Sequence, residues 1–159
     1  MKRIFLIVLL ALIFVSCGSK YEPLAYQEGD VSALCRVNGE YDIKIEKREG
    51  ERVLSISEPS ALSSVSFIIN NEECVAISDG TKIPLERDKM TGIVALCSIF
   101  DLDMECLSSS SVDDNGGSTL CFVKDEIAYL VSYGQDNLPR HIQISAPSFT
   151  HEVEILELQ

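Results

Sequence analysis

From Asp30 onward the chain alternates apolar and polar residues with a period of two, and tight turns interrupt the alternation so often that only an antiparallel sheet accommodates it. Val31, Ala33, Cys35 and Val37 alternate with Ser32, Leu34 and Arg36. Asn38-Gly39 then supplies two residues tolerant of positive φ, a strong hairpin signal. The partner strand is 41–47, with Tyr41, Ile43 and Ile45 on one face and Asp42, Lys44 and Glu46 on the other. A turn at Gly50 leads into 53–57, which Pro59 ends.

The same reading gives strands at 66–70 and Cys74–Ser78, separated by Asn70-Asn71. Asp79-Gly80 makes the next turn. Residues 82–85 are expected to leave the sheet, because Pro84 has no N–H for a ladder. Between Pro84 and Asp103 the period changes: Ile93, Leu96, Cys97 and Phe100 recur at i, i+3, i+4 and i+7. Val94, Ala95 and Ile99 fill the remaining circumference, so this helix is expected to be buried on more than one side, with Thr91 as its N-cap.

Four serines, Ser108 to Ser111, followed by Asp113-Asp114-Asn115-Gly116-Gly117, read as a loop or hairpin tip. Calcium is not expected there, since ligand offsets of an EF-hand cannot be laid over it. Strands follow at 119–124, 126–133, 141–145 and Phe149–Leu158. The expected fold class is α+β: nine antiparallel strands in one sheet, curved enough to enclose one buried central helix. No internal repeat and no second domain is expected.

The N-terminus has a different character. Lys2 and Arg3 precede an unbroken apolar run from Ile4 to Val15. Twelve residues suit a signal-peptide core and fall short of the roughly 17 to 25 of a spanning helix. The run ends in Phe14-Val15-Ser16-Cys17-Gly18-Ser19, which resembles the lipobox of bacterial lipoproteins. The resemblance implies a signal peptide over 1–16 and cleavage between the small Ser16 and Cys17. It also implies a diacylglyceryl thioether on the Cys17 sulfur. Residues 17–29 then read as the lipidated cysteine and a flexible tether, and 30–159 as the domain. The expected location is the cell envelope, on the extracytoplasmic side of a bacterial membrane, with the N-terminal lipid as the membrane contact.

Charge excludes one class of partner. The chain has 13 Lys+Arg against 25 Asp+Glu, and loss of Lys2 and Arg3 would leave 11 against 25, a net charge of -14. Sparse, scattered cations give no electrostatic footprint for nucleic acid. An anionic lipid surface would repel such a domain, so the anchor, not the domain surface, is expected to hold the membrane.

With Cys17 assigned to lipid, Cys35, Cys74, Cys97, Cys106 and Cys121 remain, an odd number. Buried thiols are one reading. One or two disulfides are a second, with Cys97 and Cys106 the local candidates, and a reactive thiol is a third. No C-x-x-C spacing supports zinc. His141 and His151 are expected nearly opposite each other on paired strands, but Glu152 points to the other face from His151, so no metal is expected. Neither a G-x-S-x-G elbow nor a Gly-rich phosphate loop occurs, and no nucleophile is found with a base and an orienter. No enzymatic activity and no cofactor are expected.

The order of strand meander, "ISEPSALSSVSFIIN", Asp79-Gly80, apolar helix, and "LPRHIQIS" before a long last strand resembles the LolA/LolB-like lipoprotein carrier superfamily, from about Val31 to Leu158. The resemblance implies an open half-barrel whose concavity holds acyl chains. Its lining would be drawn from Ile43, Ile45, Leu54, Ile56, Phe67, Ile69, Leu96 and Phe100. Two functional readings remain. One is a membrane-anchored module binding a lipid or other apolar ligand, which requires a cavity that side chains do not fill. The other is an interaction or scaffolding lipoprotein with a filled core that meets an envelope protein partner.

Overall fold

The computed structural model describes residues 24–112 and 117–159. Within them the alternating segments form eleven strands. The first six are β1 (Val31–Val37), β2 (Tyr41–Arg48), β3 (Glu51–Glu58), β4 (Val65–Ile69), β5 (Cys74–Ser78) and β6 (Thr81–Pro84). After the helix come β7 (Leu107–Val112), β8 (Ser118–Lys124), β9 (Ile127–Tyr133), β10 (Pro139–Ala146) and β11 (Phe149–Leu158). All belong to one antiparallel sheet of order β6-β5-β4-β3-β2-β1-β11-β10-β9-β8-β7. The sheet is open, with β6 and β7 at its two edges.

Several of the hairpin turns use residues placed at positive φ. Asn38 (52°) and Gly39 (70°) turn β1 into β2, and Asp79 (48°) with Gly80 (77°) turns β5 into β6. Asn38 also ties the first hairpin to the last strand. Its backbone N–H donates to the Glu152 carbonyl at 2.7 Å, and its side-chain oxygen accepts from the Glu152 N–H at 2.9 Å.

Two strands exceed the nine expected, and both are edges. β6 continues through Pro84, which pairs with Val75, so residues 82–84 stay in the sheet. An edge strand needs donors on one side only, and that tolerates the missing N–H. The serine run is β7, paired with β8 from Leu107↔Phe122 to Val112↔Ser118 and not a loop. Serine carries no alternation of hydrophobicity, so the pattern that marks a half-buried strand is missing at an exposed edge.

The edge-to-edge order decides where the helix lies. β6 and β7 stand at opposite ends of the sheet, so residues 85–106 must cross it, and they do so over the apolar face. The helix is shorter than its apolar period. α1 spans Thr91–Cys97, and a single 3-10 turn, Ser98–Phe100, continues it. Thr91 is the first helical residue; the cap position falls to Met90, which makes no side-chain capping bond. Gly92 lets the helix start close to β11, since a Cβ there would sit 2.9 Å from His151 Nε2.

Ala95, Cys97, Ile99 and Phe100 are wholly buried against Ile45, Phe122, Val131, Ile142, Ile144 and Val153 of the sheet. Side chains of strands from both halves of the sheet share this one cluster with the helix, which requires the sheet to curve around it. Leu24 and Tyr26, within the stretch read as tether, also pack on this core. Tyr26 meets Phe100 edge-on with ring centroids 6.2 Å apart.

Candidate functional site

The inner face alternates along every strand, and its rows run across the sheet. One row is Lys47–Arg52–Ile69–Cys74, the next Ile45–Leu54–Phe67–Ala76–Ile83, and beyond it Ile43 pairs with Ile56. Of the eight residues expected to line a concavity, six lie in the buried core: Ile43, Ile45, Leu54, Ile69, Leu96 and Phe100. Ile56 and Phe67 are only half-buried, and Ile83 on the edge is 46% exposed. Apolar coverage therefore thins away from the helix and toward β6. Val65 of the same face and the exposed Leu62 flank this strip. Ser16 and Cys17 lie outside the described residues.

The C-terminal end of the helical segment is fixed by three cations from three strands. Arg52 Nε donates to the Asp101 carboxylate, and Lys47 Nζ stands 3.4 Å from its other oxygen. Lys47 Nζ also donates to the Phe100 carbonyl at 2.9 Å and to the Gln27 carbonyl at 3.1 Å. Lys124 Nζ donates to the Asp101 carbonyl at 3.0 Å. Helix-terminal carbonyls without intrahelical partners thus receive charged donors, and the helix dipole favours positive charge there. Sequence reasoning missed this clamp, because its members are far apart in the chain and its three cations look like ordinary strand residues.

Beside the clamp a cleft of about 340 Å³ opens between α1 and the ends of β3, β8 and β9. Arg52, Arg87, Lys124, Asp88, Asp101 and Asp125 supply its charges, and Val94, Ala95 and Ile127 its apolar wall. The buried Tyr129 phenol is pushed up to about 12 by burial, with its hydrogen bond to Ser98 acting in the other direction. It stays protonated as a neutral group of the cleft wall.

The two histidines do not face each other. His141 pairs with Glu154 and His151 with Ile144, which puts them on opposite faces of the sheet. The register is set by the two-residue turn at 147–148, which pairs Ala146 with Phe149 and, counting back along a regular ladder, His141 with Glu154. His141 Nε2 instead meets Glu152 Oε2 at 3.1 Å on the outer face. His151 packs on the Phe149 ring, and burial lowers its pKa. Among the described residues, no three His, Cys, Asp or Glu side chains gather as a metal would need.

All five described cysteines are free, so Cys97 and Cys106 form no bridge. Burial pushes the Cys35 and Cys97 thiols up to about 12 and raises Cys74 as well. Cys106 and Cys121 are half-buried, and Cys121 alternates to the outer face, between the buried Leu120 and Phe122. Among the described residues no helix is long and apolar enough to cross a membrane.

These features define an open antiparallel sheet curved around a short helix, with a cation clamp and a charged cleft at the end of that helix. No protein-family model matches the chain, and no curated protein matches it. It is similar to the structure of an uncharacterized conserved protein from Thermus thermophilus, at 10% identity over 86% of this chain and 82% of that one, with a TM-score of 0.49. It is also similar to the hypothetical protein CT021 from Chlamydia trachomatis (13% identity, 84% and 91% covered, TM-score 0.46). A third neighbour is the LolA superfamily protein NE2245 from Nitrosomonas europaea (10% identity, 82% and 83% covered, TM-score 0.39). At such identities and scores, function has to be read from the chain's own geometry.

Proposed function

We propose that this chain is a lipoprotein of a bacterial envelope, held to the membrane by an acylated Cys17, whose half-barrel is a non-enzymatic binding module for a lipid or similar apolar chain. The observation that supports this reading is the uneven coverage of the concave face. Around helix α1 the inner face is buried in one core, whereas Ile56 and Phe67 stay half-buried beside the exposed Ile83 and Leu62. An acyl chain laid on that strip would remove apolar surface from water at about 25 cal/mol per Å². A polar ligand would gain nothing from it.

One observation favours the second reading, an interaction or scaffolding lipoprotein that meets an envelope protein partner. Ala95, Cys97, Ile99 and Phe100 already fill the space between helix and sheet. The two readings separate by native mass spectrometry of the chain extracted without added lipid. Copurifying acyl species that disappear in Phe67→Glu support the binding module. A clean apo mass sinks it and leaves the scaffolding reading. The anchor is tested apart from both, by metabolic palmitate labelling of Cys17→Ser; label that persists in this variant refutes the assignment of Cys17.

A further inference from the structure

In a chain with 25 Asp+Glu against 13 Lys+Arg, a cation without a carboxylate partner is unexpected, because acidic groups are in excess everywhere. Arg36, Lys44, Lys47, Arg48, Arg52, Lys89 and Arg140 each have one. Among the described residues three cations pair with none: Lys82 stands alone on the exposed edge strand β6, whereas Arg87 and Lys124 both line the cleft beside α1. Arg87 Nη1 donates to the Asn70 carbonyl at 2.8 Å, and Lys124 Nζ to the Asp101 carbonyl. Those bonds use one donor on each, leaving most of the guanidinium fork and two ammonium hydrogens uncommitted.

The charge beneath the cleft reinforces them. Asp101 is one anion shared by Lys47 and Arg52, so that group is positive by one. Adding Arg87 and Lys124 and subtracting the rim carboxylates Asp88 and Asp125 leaves the cleft and its floor at +1, within a chain of net charge -12. Two uncommitted cations match a group carrying about -1.5 to -2, the charge of a phosphate monoester at neutral pH. The pairing of an arginine fork with a lysine point charge suits its oxygens. A volume of about 340 Å³ is at the small end of ligand sites. Val94, Ala95 and Ile127 offer the rest of the molecule an apolar wall, and Asp88 and Asp125 can accept hydrogen bonds from its hydroxyls.

We infer that this cleft binds a small phosphate-bearing molecule through Arg87 and Lys124. The inference rests on these cations and not on the apolar strip, so it stands or falls separately from the lipid reading. Two probes distinguish the source of the phosphate: glycerol 3-phosphate for a free phosphomonoester, and monomeric dihexanoylphosphatidic acid for a monoester lipid headgroup. Each is titrated into the purified full chain by calorimetry, at low and at physiological salt.

At least one probe is expected to saturate by about 1 mM, the tighter one naming the source. Arg87→Gln is expected to weaken it about tenfold. Arg87 is exposed and contributes no core packing, so its replacement leaves the fold in place. Lys124→Met should weaken binding similarly, while Lys82→Gln, which neutralises a cation on β6 away from the cleft, should leave it unchanged. The inference is overturned if neither probe binds, or if Arg87→Gln and Lys82→Gln weaken binding equally.

Discussion

Replacing Asp101 by Asn tests how the helical segment is locked to the sheet. The substitution keeps the shape and one acceptor oxygen but removes the charge that Lys47 and Arg52 share. The side chains of Asp101, Arg52 and Lys47 are only 13%, 18% and 22% exposed, so the pair lies nearer the buried limit than the surface one. Breaking a buried pair costs about 3–5 kcal/mol, whereas an exposed one is worth about 0–1 kcal/mol. Asn still accepts a neutral hydrogen bond worth about 1 kcal/mol. A loss of about 2 kcal/mol is therefore expected, or about 4–8 °C in Tm for a domain of this size.

Urea unfolding followed by far-ultraviolet circular dichroism measures it, since the chain has no tryptophan. The m-value should not change, because the native surface does not. Repeating the substitution in an Arg52→Gln background gives the coupling between the two residues, expected at about 1 kcal/mol or more by the behaviour of contacting pairs. A loss below about 0.5 kcal/mol, or strict additivity in that cycle, would falsify the clamp.

Two further outcomes follow from the titrating groups. At pH 8, a maleimide should label Cys106 and Cys121 in the native chain and reach Cys35, Cys74 and Cys97 only on unfolding, because burial raises the latter three thiols; labelling of native Cys97 at the unfolded rate would contradict the packing. His151 should titrate by NMR below the ordinary histidine value of about 6.5. Its neutral form is the one the fold favours, so its contribution is complete above that value and is lost as pH falls from there through the depressed native pKa. Phe149→Ala, which opens the ring face covering it, should move the titration back up, and an unshifted His151 in the wild type refutes the burial argument.

Much of the sheet was legible because its signals are local. Val31, Ala33, Cys35 and Val37 alternate inward as their spacing requires, and Asn38-Gly39 and Asp79-Gly80 turn where two residues at positive φ are needed. The edges were not legible. β7 is serine throughout its middle and β6 ends in proline, so neither has a hydrophobic period or a full set of ladder donors to announce it. The helix was legible as apolar on several sides, and its length was not, since Ser98 to Phe100 keep the apolar spacing while tightening into a 3-10 turn. The candidate cleft left no sequence signal at all, because Arg52, Arg87, Asp101 and Lys124 share no motif or register.

By itself, then, the sequence determined the identity and facing of the nine strands between the edges, most of the turns, and the presence of one apolar helix, since these depend on neighbours within a few residues. Tertiary structure alone decided that β1 pairs with β11, joining the two halves of the sheet and sending β6 and β7 to opposite edges. That pairing forces the connecting segment across the concave face. The crossing buries Ala95 to Phe100 in the core and carries Asp101 to Lys47, Arg52 and Lys124. A pairing between residues more than a hundred positions apart is settled by the burial it completes, and no local pattern records it.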